Sequence, residues 1–414
     1  MSLIPSSPTL LLRIKQQGWI QRLRKTRWYC RWRARLTAPP RIHEDWAETE
    51  NAERVLIDWP AGVRKPAVGV VQDYEACPRW TKYCRFLKNN GFAYGLLNLH
   101  AHDWLEQARR YDVVTGICSC DAWHLHELRE KYPFLENYLG IKTYPSPAEA
   151  FLYEDKKLES YLVQASGLPH PRTLVSYDRA NALQIIEQMT YPCVSKVVPG
   201  SGSIGVEWVR NKSHARRIIA SAFSAVGRKT DSNYARQKNY VFFQEYVPND
   251  GYDVRVIVVG HHLFGYYRKV PSGDFRASGM GYVEKRDLPH DAMALALRLN
   301  DVVKSPMLVV DMVRALTGQY LIIEFSPVCQ MDTPEQLHIR QVAGAYEWNP
   351  ATGFRFRPGR VWVHELALRE FLLRQYLPGI AADQDEQATV GSTLEQNQNA
   401  SRCSVQAFSR SPQP

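Results

Sequence analysis

Tyr191-Pro192-Cys193-Val194-Ser195-Lys196 brings an apolar, strand-like stretch to a single lysine, and a loop of glycines and serines, Gly200 to Val206, follows closely. An ammonium on a long stem neutralises anionic oxygen. Glycines let backbone N–H groups close around the same oxygens and adopt positive φ. The combination describes a cradle for phosphates. Its order excludes the P-loop, G-x-x-x-x-G-K-[ST], in which the lysine follows the glycines onto a helix. Here the lysine comes first and sits on the strand.

Further segments carry matching chemistry. Asp155-Lys156-Lys157 precedes Gly167-Leu168-Pro169-His170-Pro171 by eleven residues. Val241 to Val247 reads as a strand and is followed by Gly251-Tyr252-Asp253-Val254-Arg255-Val256. Arg268 to Gly279 contains Gly273-Asp274-Phe275-Arg276, and Asp311 and Glu324 lie thirteen residues apart on two strands joined by a turn. A charge at Glu324, inside Leu321-Ile322-Ile323-Glu324-Phe325, is costly to bury unless something binds it.

Together these segments resemble the ATP-grasp superfamily, in the branch of glutathione synthetase and the ribosomal-protein glutamate ligase, over about residues 146–335. The resemblance implies ATP held by Lys156 (or its neighbour Lys157), by Lys196, and by loop residues Gly200, Ser201, Gly202 and Gly205. It implies adenine against Gln244, Glu245, Tyr246 and Val247, with Asp253 or Arg255 toward the ribose and phosphates. Arg268 and Arg276 are the implied catalytic cations, stabilising charge on the γ-phosphate and the acceptor. Asp311 and Glu324 are the implied magnesium ligands, and two Mg²⁺ ions are expected, with Mn²⁺ as an alternative. Ser326 stands where relatives carry the asparagine that completes the second metal site, and Ser278 where many carry another asparagine.

Composition bounds the rest. A chain of 414 residues predicts two or three domains, and 45% hydrophobic residues with 11 tryptophans can fill large cores. No run approaches the roughly 18 apolar residues of a membrane span. Eight cysteines without a C-x-x-C pair predict free thiols in a reducing, cytoplasmic compartment. Cys118, Cys120, His124 and His126 cluster, but at no common zinc spacing. Ten of the 52 Lys and Arg fall in residues 1–43, which hold no acid; the 42 that remain balance the 42 Asp and Glu. Charge confined to one arm argues against a nucleic-acid-binding surface. Mixed with Trp19, Trp28 and Trp32, residues 1–41 read as a contact to an anionic membrane, as a solvated extension, or as an arginine-rich transit peptide.

The elements that must position this chemistry follow from periodicity. Strands at 66–73, 92–99 and 111–118, alternating with helices at 79–90 and 103–110, predict a small parallel sheet. Helices are expected at 122–139, 148–166, 211–228, 291–303 and 363–376. Strands are expected at 173–175, 240–246, 253–259, 263–270, 307–312 and 320–325. The fold class is α/β (α+β): an ATP-grasp fold of two α+β subdomains behind a small parallel-sheet domain. The expected division is a basic arm (1–50), the sheet domain (55–145), the two subdomains (146–228 and 229–377) and a disordered tail (378–414).

The expected function is an ADP-forming ligase joining a small-molecule or peptide carboxylate to an amine through an acyl phosphate. A kinase acting on a hydroxyl and a non-catalytic nucleotide-binding scaffold are the alternatives.

Overall fold

The computed structural model describes residues 41–198, 200, 203, 205–230, 236–271, 274–276 and 282–379. The arm up to residue 40, loop residues Ser201 and Gly202, Ser278 and the tail from residue 380 lie outside the described residues.

The first layer is a parallel sheet. After a short helix α1 (Trp46–Thr49) come β1 (Val68–Val71), α2 (Arg79–Asn89), β2 (Tyr94–Leu97), α3 (Trp104–Ala108), β3 (Val113–Thr115), α4 (Ala122–Leu139) and β4 (Lys142–Tyr144). The strand order is β2-β1-β3-β4. Strand β4, just before the boundary expected at 145, was not anticipated from sequence; three residues are too few to show alternation. Helix α2 is basic, as expected, but three of its four cations are not solvated, and only Lys88 is exposed. Arg79, Lys82 and Arg85 are buried and pair with Asp73, Asp45 and Glu365.

Helices α5 (Pro147–Leu152) and α6 (Lys156–Ser166) lead into a second sheet. It comprises β5 (Thr173–Ser176), β6 (Cys193–Ser195), β7 (Glu207–Val209) and β8 (Val241–Glu245), backed by α7 (Arg179–Ile185) and α8 (Lys212–Ala222). The order is β5-β8-β6-β7. Strand β8 bonds to β5 and β6, so this sheet runs past the division drawn from sequence at 228/229. Strand partners are chosen by register, which a linear reading does not contain.

The third sheet is the largest. It contains β9 (Asn249–Val259), β10 (His262–Lys269), β11 (Val283–Glu284), then after helix α9 (His290–Val303) β12 (Met307–Ala315), β13 (Tyr320–Ser326), β14 (His338–Ile339), β15 (Val342–Asn349) and β16 (Gly353–Pro358). The central order is β13-β12-β9-β10-β15. The hairpin β15–β16 was not anticipated from sequence. Helix α10 (Val363–Phe371), extended by a π-turn over Leu372–Tyr376, closes the described chain.

Helices α2 and α10 sit between the first and third sheets. Trp80, Phe86 and Leu87 of α2, Ile257 and Val259 of β9, and Leu366 and Phe371 of α10 share one buried cluster. Apolar burial at roughly 25 cal/mol per Å² makes this shared core the main tie between the two layers.

Candidate active site

The site is built on a row of side chains crossing four strands of the third sheet. Tyr266 on β10 stands opposite Arg255 on β9, Arg255 opposite Asp311 on β12, and Asp311 opposite Glu324 on β13. Two residues along, on the same face, Arg268 stands opposite Asp253. Arg255 grips Asp311 with both arms, at 2.7 and 2.8 Å. Arg268 grips Asp253 the same way, at 2.7 and 2.8 Å, and reaches Asp311 Oδ2 at 2.7 Å. Bidentate guanidinium–carboxylate pairs of this kind fix geometry as well as charge.

The electrostatics follow. Burial acts to raise the Asp311 carboxyl, but the two guanidiniums outweigh it and hold it well below the usual carboxylate range. Burial likewise opposes ionisation of Glu324, and the Lys156 and Lys196 ammoniums overcome it. Lys156 Nζ lies 2.9 Å from Glu324 Oε1 and donates to the Gly200 carbonyl. Lys196 Nζ donates to the Ile323 carbonyl at 3.2 Å, and burial lowers its pKa.

The local reasons for these placements are visible in sequence. Asp155 caps α6 by accepting from the N–H groups of Lys157 and Leu158 at 3.1 and 3.2 Å, a favoured N-cap arrangement. Capping turns Lys156 inward. Lys157 instead lies over the rings of Tyr177 and Tyr240 at 5.4 and 4.7 Å, so only Lys156 points at the acids. In the loop, Gly205 has φ +75°, and a Cβ there would meet Val197 Cγ2 at 1.9 Å; no other residue fits.

Between the second and third sheets lies a cleft. Lys196 and Gln244 to Val247 line its second-sheet wall, and Asp253, Arg268, Asp311 and Glu324 its third-sheet wall. Gln244 is fixed by a 2.9 Å bond to Thr173, and Arg276 by its own bidentate pair with Asp274 at 3.0 and 2.9 Å. The structure thus gathers Lys196, Gln244 to Val247, Asp253, Arg268, Arg276, Asp311 and Glu324 around one space. Gly200 and Lys156 meet beside it.

Two expected roles are altered by the geometry. Asp253, expected toward the ribose and phosphates, has both oxygens committed to Arg268. Ser326, expected as a metal donor, donates its hydroxyl to the Val328 carbonyl and accepts from the Val328 N–H at 3.3 Å.

Other residues at the site were not singled out from sequence. Glu159 is buried one helical turn after Lys156 and accepts from the Phe325 N–H at 3.3 Å; burial, then Glu324, pushes its carboxyl up. The i, i+3 spacing on one helix face was the available signal. Burial raises Glu154 to about 7 against the opposing pull of Lys156. Trp208 packs on Tyr246 and Phe275, ring centres 4.7 and 4.8 Å apart, joining the second sheet to the segment that carries Arg276.

Among the described residues no group of three or more His, Cys, Asp or Glu forms a metal cluster. Asp311 and Glu324 are hard oxygen donors on paired strands, but Arg255 and Arg268 engage both Asp311 oxygens, so a cation there has to share or displace one of these contacts. That set suits an ion such as Mg²⁺, which takes one or two carboxylates and completes its shell with phosphate oxygens and water.

Residues 154–342 match the RimK-like ATP-grasp domain. The chain is 27% identical over 192 residues to the glutamate–LysW ligase ArgX of Sulfolobus acidocaldarius, covering 46% of this chain and 65% of that protein. It is 24% identical over 201 residues to the alpha-aminoadipate–LysW ligase LysX of Saccharolobus solfataricus, covering 47% and 69%. A RimK-domain ATP-grasp protein from Sphaerobacter thermophilus, of known structure, superimposes with a TM-score of 0.44 at 18% identity, over 63% of this chain and 90% of that one. The matches to the two ligases span about two thirds of those proteins and just under half of this chain.

Proposed function

Since residues 154–342 form a RimK-like ATP-grasp domain, we propose that the protein is an ATP-dependent, ADP-forming carboxylate–amine ligase. The observation that carries this reading is the convergence of Lys196, Arg268, Asp311 and Glu324 on one cleft between two sheets. Phosphoryl transfer to a carboxylate crowds negative charge onto two oxyanions, and cations beside paired acids answer that need.

In this reading adenine enters against Gln244 to Val247. Lys156 and Lys196 hold the phosphates, with the loop of Gly200 and Gly205 beside them. The substrate carboxylate attacks the γ-phosphorus, ADP leaves, and an acyl phosphate forms. The amine then attacks the acyl carbon and displaces phosphate, leaving an amide. Arg268, fixed by Asp253 and Asp311, and Arg276 face the transferred group. A bound Mg²⁺ would be held by Asp311 and Glu324 and would offset phosphate charge. Ser326 offers little to a second ion, since its hydroxyl is engaged by Val328. Enclosure by the loop matters because acyl phosphates hydrolyse. The names of the two ligases favour an amino acid as one substrate.

The test is ADP release against paired acids and amines, with hydroxylamine present to trap the acyl phosphate as a hydroxamate. Carboxylate-dependent ADP and hydroxamate are expected. Nucleotide binding without either product, across a broad panel, would sink the reading.

A further inference from the structure

Behind the Asp311–Glu324 wall lies a second cavity, of about 280 Å³. It is lined from three directions. Arg79 and Cys120 come from the first layer, Glu154 from the turn before α6, and Gln330 from the loop after β13. Asp311 and Glu324 line both this cavity and the nucleotide cleft, so a molecule here meets the reacting centre through a shared wall.

The polar atoms of this cavity are unevenly answered. Arg255 is paired with Asp311. Arg79 Nε makes no hydrogen bond, but it stands 3.6 Å from Asp73 Oδ2, so its charge is met. Two acceptors are left over. Glu154 Oε2 is buried without a hydrogen-bond partner among the described residues; its nearest cation, Lys156 Nζ, is 3.8 Å away and bonded elsewhere. Gln330 Oε1 is likewise buried without a partner among the described residues, while its amide nitrogen is fixed on the Cys77 carbonyl. Glu154 has φ +59°, a region that residues with a side chain rarely adopt. Buried acceptors without donors and a strained backbone persist where the surroundings hold them for a purpose.

We propose that this cavity receives the amine substrate, and that Glu154 and Gln330 hold its nitrogen as a primary ammonium. An ammonium brings three donors and a positive charge, the complement of two unanswered acceptors that line one cavity. A carboxylate or phosphate would instead face Glu154 and the two wall acids. Glu154 is here a binding residue that positions the amine; the ammonium has no lone pair, so it gives one proton to this carboxylate, and from there to solvent, before the neutral nitrogen attacks. The inference rests on the ligase reading and adds which residues select the nucleophile.

Calorimetric titration of the full chain, loaded with a non-hydrolysable ATP analogue and Mg²⁺, tests it. The probes are L-glutamate, glycinamide and putrescine, with N-acetyl-L-glutamate as the blocked control. Glu154→Gln keeps the shape. Glu154→Gly removes the carboxylate at a φ that glycine adopts without strain, so it retains the fold. At least one free amine should bind the wild type, and both variants should weaken it tenfold or more. Nucleotide affinity should stay within twofold, and N-acetyl-L-glutamate should not bind. The inference fails if the variants bind amine like the wild type, or if the blocked control binds equally. It fails too if nucleotide affinity falls in step with amine affinity, which would mark Glu154 as a support for Lys156. Hydroxamate formation by a wild type that binds none of the amines would remove this inference and keep the ligase reading. Loss of nucleotide binding itself would remove both.

Discussion

Asp311 and Glu324 are direct cross-strand partners, yet different cations answer them: Arg255 and Arg268 hold the first, and Lys156 lies 2.9 Å from the second. Two acids this close avoid repulsion only because each is separately compensated.

That division predicts different costs of removal. Asp311→Asn leaves Arg255 without its carboxylate partner inside the sheet and should destabilise the fold by about 3–5 kcal/mol. Glu324→Gln should cost less, because Lys156 keeps the Gly200 carbonyl and Glu154 nearby. Both should abolish Mg²⁺-supported ADP release. Denaturant unfolding beside an ADP assay checks the order; equal stability losses would contradict it.

The two neighbouring lysines should behave differently. Lys156→Ala and Lys196→Ala are expected to weaken nucleotide binding by at least tenfold. Lys157→Ala should change it less than twofold, since its ammonium lies over Tyr177 and Tyr240. Titration of each variant with ATP measures this.

Ser326 offers a metal test. Its hydroxyl is used in a local turn with Val328, so Ser326→Ala should cost about 1 kcal/mol of stability and leave the Mg²⁺ dependence of turnover nearly unchanged. Ser326→Asn, which brings an amide oxygen forward, should lower the Mg²⁺ concentration for half-maximal rate. A large Mg²⁺ shift in the alanine variant would restore serine as a ligand.

The aromatic contact between sheets should be measurable. Trp208 and Phe275, 4.8 Å apart, predict a coupling of about 0.5–1.5 kcal/mol in a double-mutant cycle. Phe275→Ala should raise the KM for ATP, because the segment bearing Arg276 loses its hold on the second sheet. Additive effects of Trp208→Ala and Phe275→Ala would rule the contact out as a clasp.

Acid should destabilise the fold through two buried histidines. Burial, then Lys82 and Arg79, drives His364 down to about 3; burial, then His261 and Arg369, drives His262 down to about 4. The unfolded chain takes up protons below the ordinary 6.5 while the folded chain does not. Stability is therefore full above pH 6.5 and falls as pH drops toward 4, by about 2 kcal/mol per histidine at pH 5. Melting temperature against pH should show a shallower acid slope in His262→Gln and His364→Gln. An unchanged slope would exclude the histidines as the cause.

Much of the fold was legible because its signals are local. The β-α-β-α-β rhythm of the first sheet, the paired strands expected at 307–312 and 320–325 and found at Met307–Ala315 and Tyr320–Ser326, and helix α9 all follow from apolar periodicity over a few residues. What failed was short or non-local. Strand β4 has three residues, the hairpin β15–β16 mixes apolar and charged positions, and β8 chose its partners by register.

The sequence by itself determined the order of the chemistry: a lysine at the start of a helix, a lysine before a glycine loop, two arginines, and two acids on a hairpin. Residue type and spacing carry that information because each piece works within a few residues of backbone. Only the tertiary structure decided which charge meets which. It locked Asp253 onto Arg268, set Asp311 between two arginines, turned Lys156 inward and Lys157 outward, buried three bases of α2, and left Glu154 Oε2 at a cavity without a hydrogen bond among the described residues. Those outcomes depend on sheet register and on burial. Both join residues far apart in the chain, and both set the strength of every charge by how much water is removed from it.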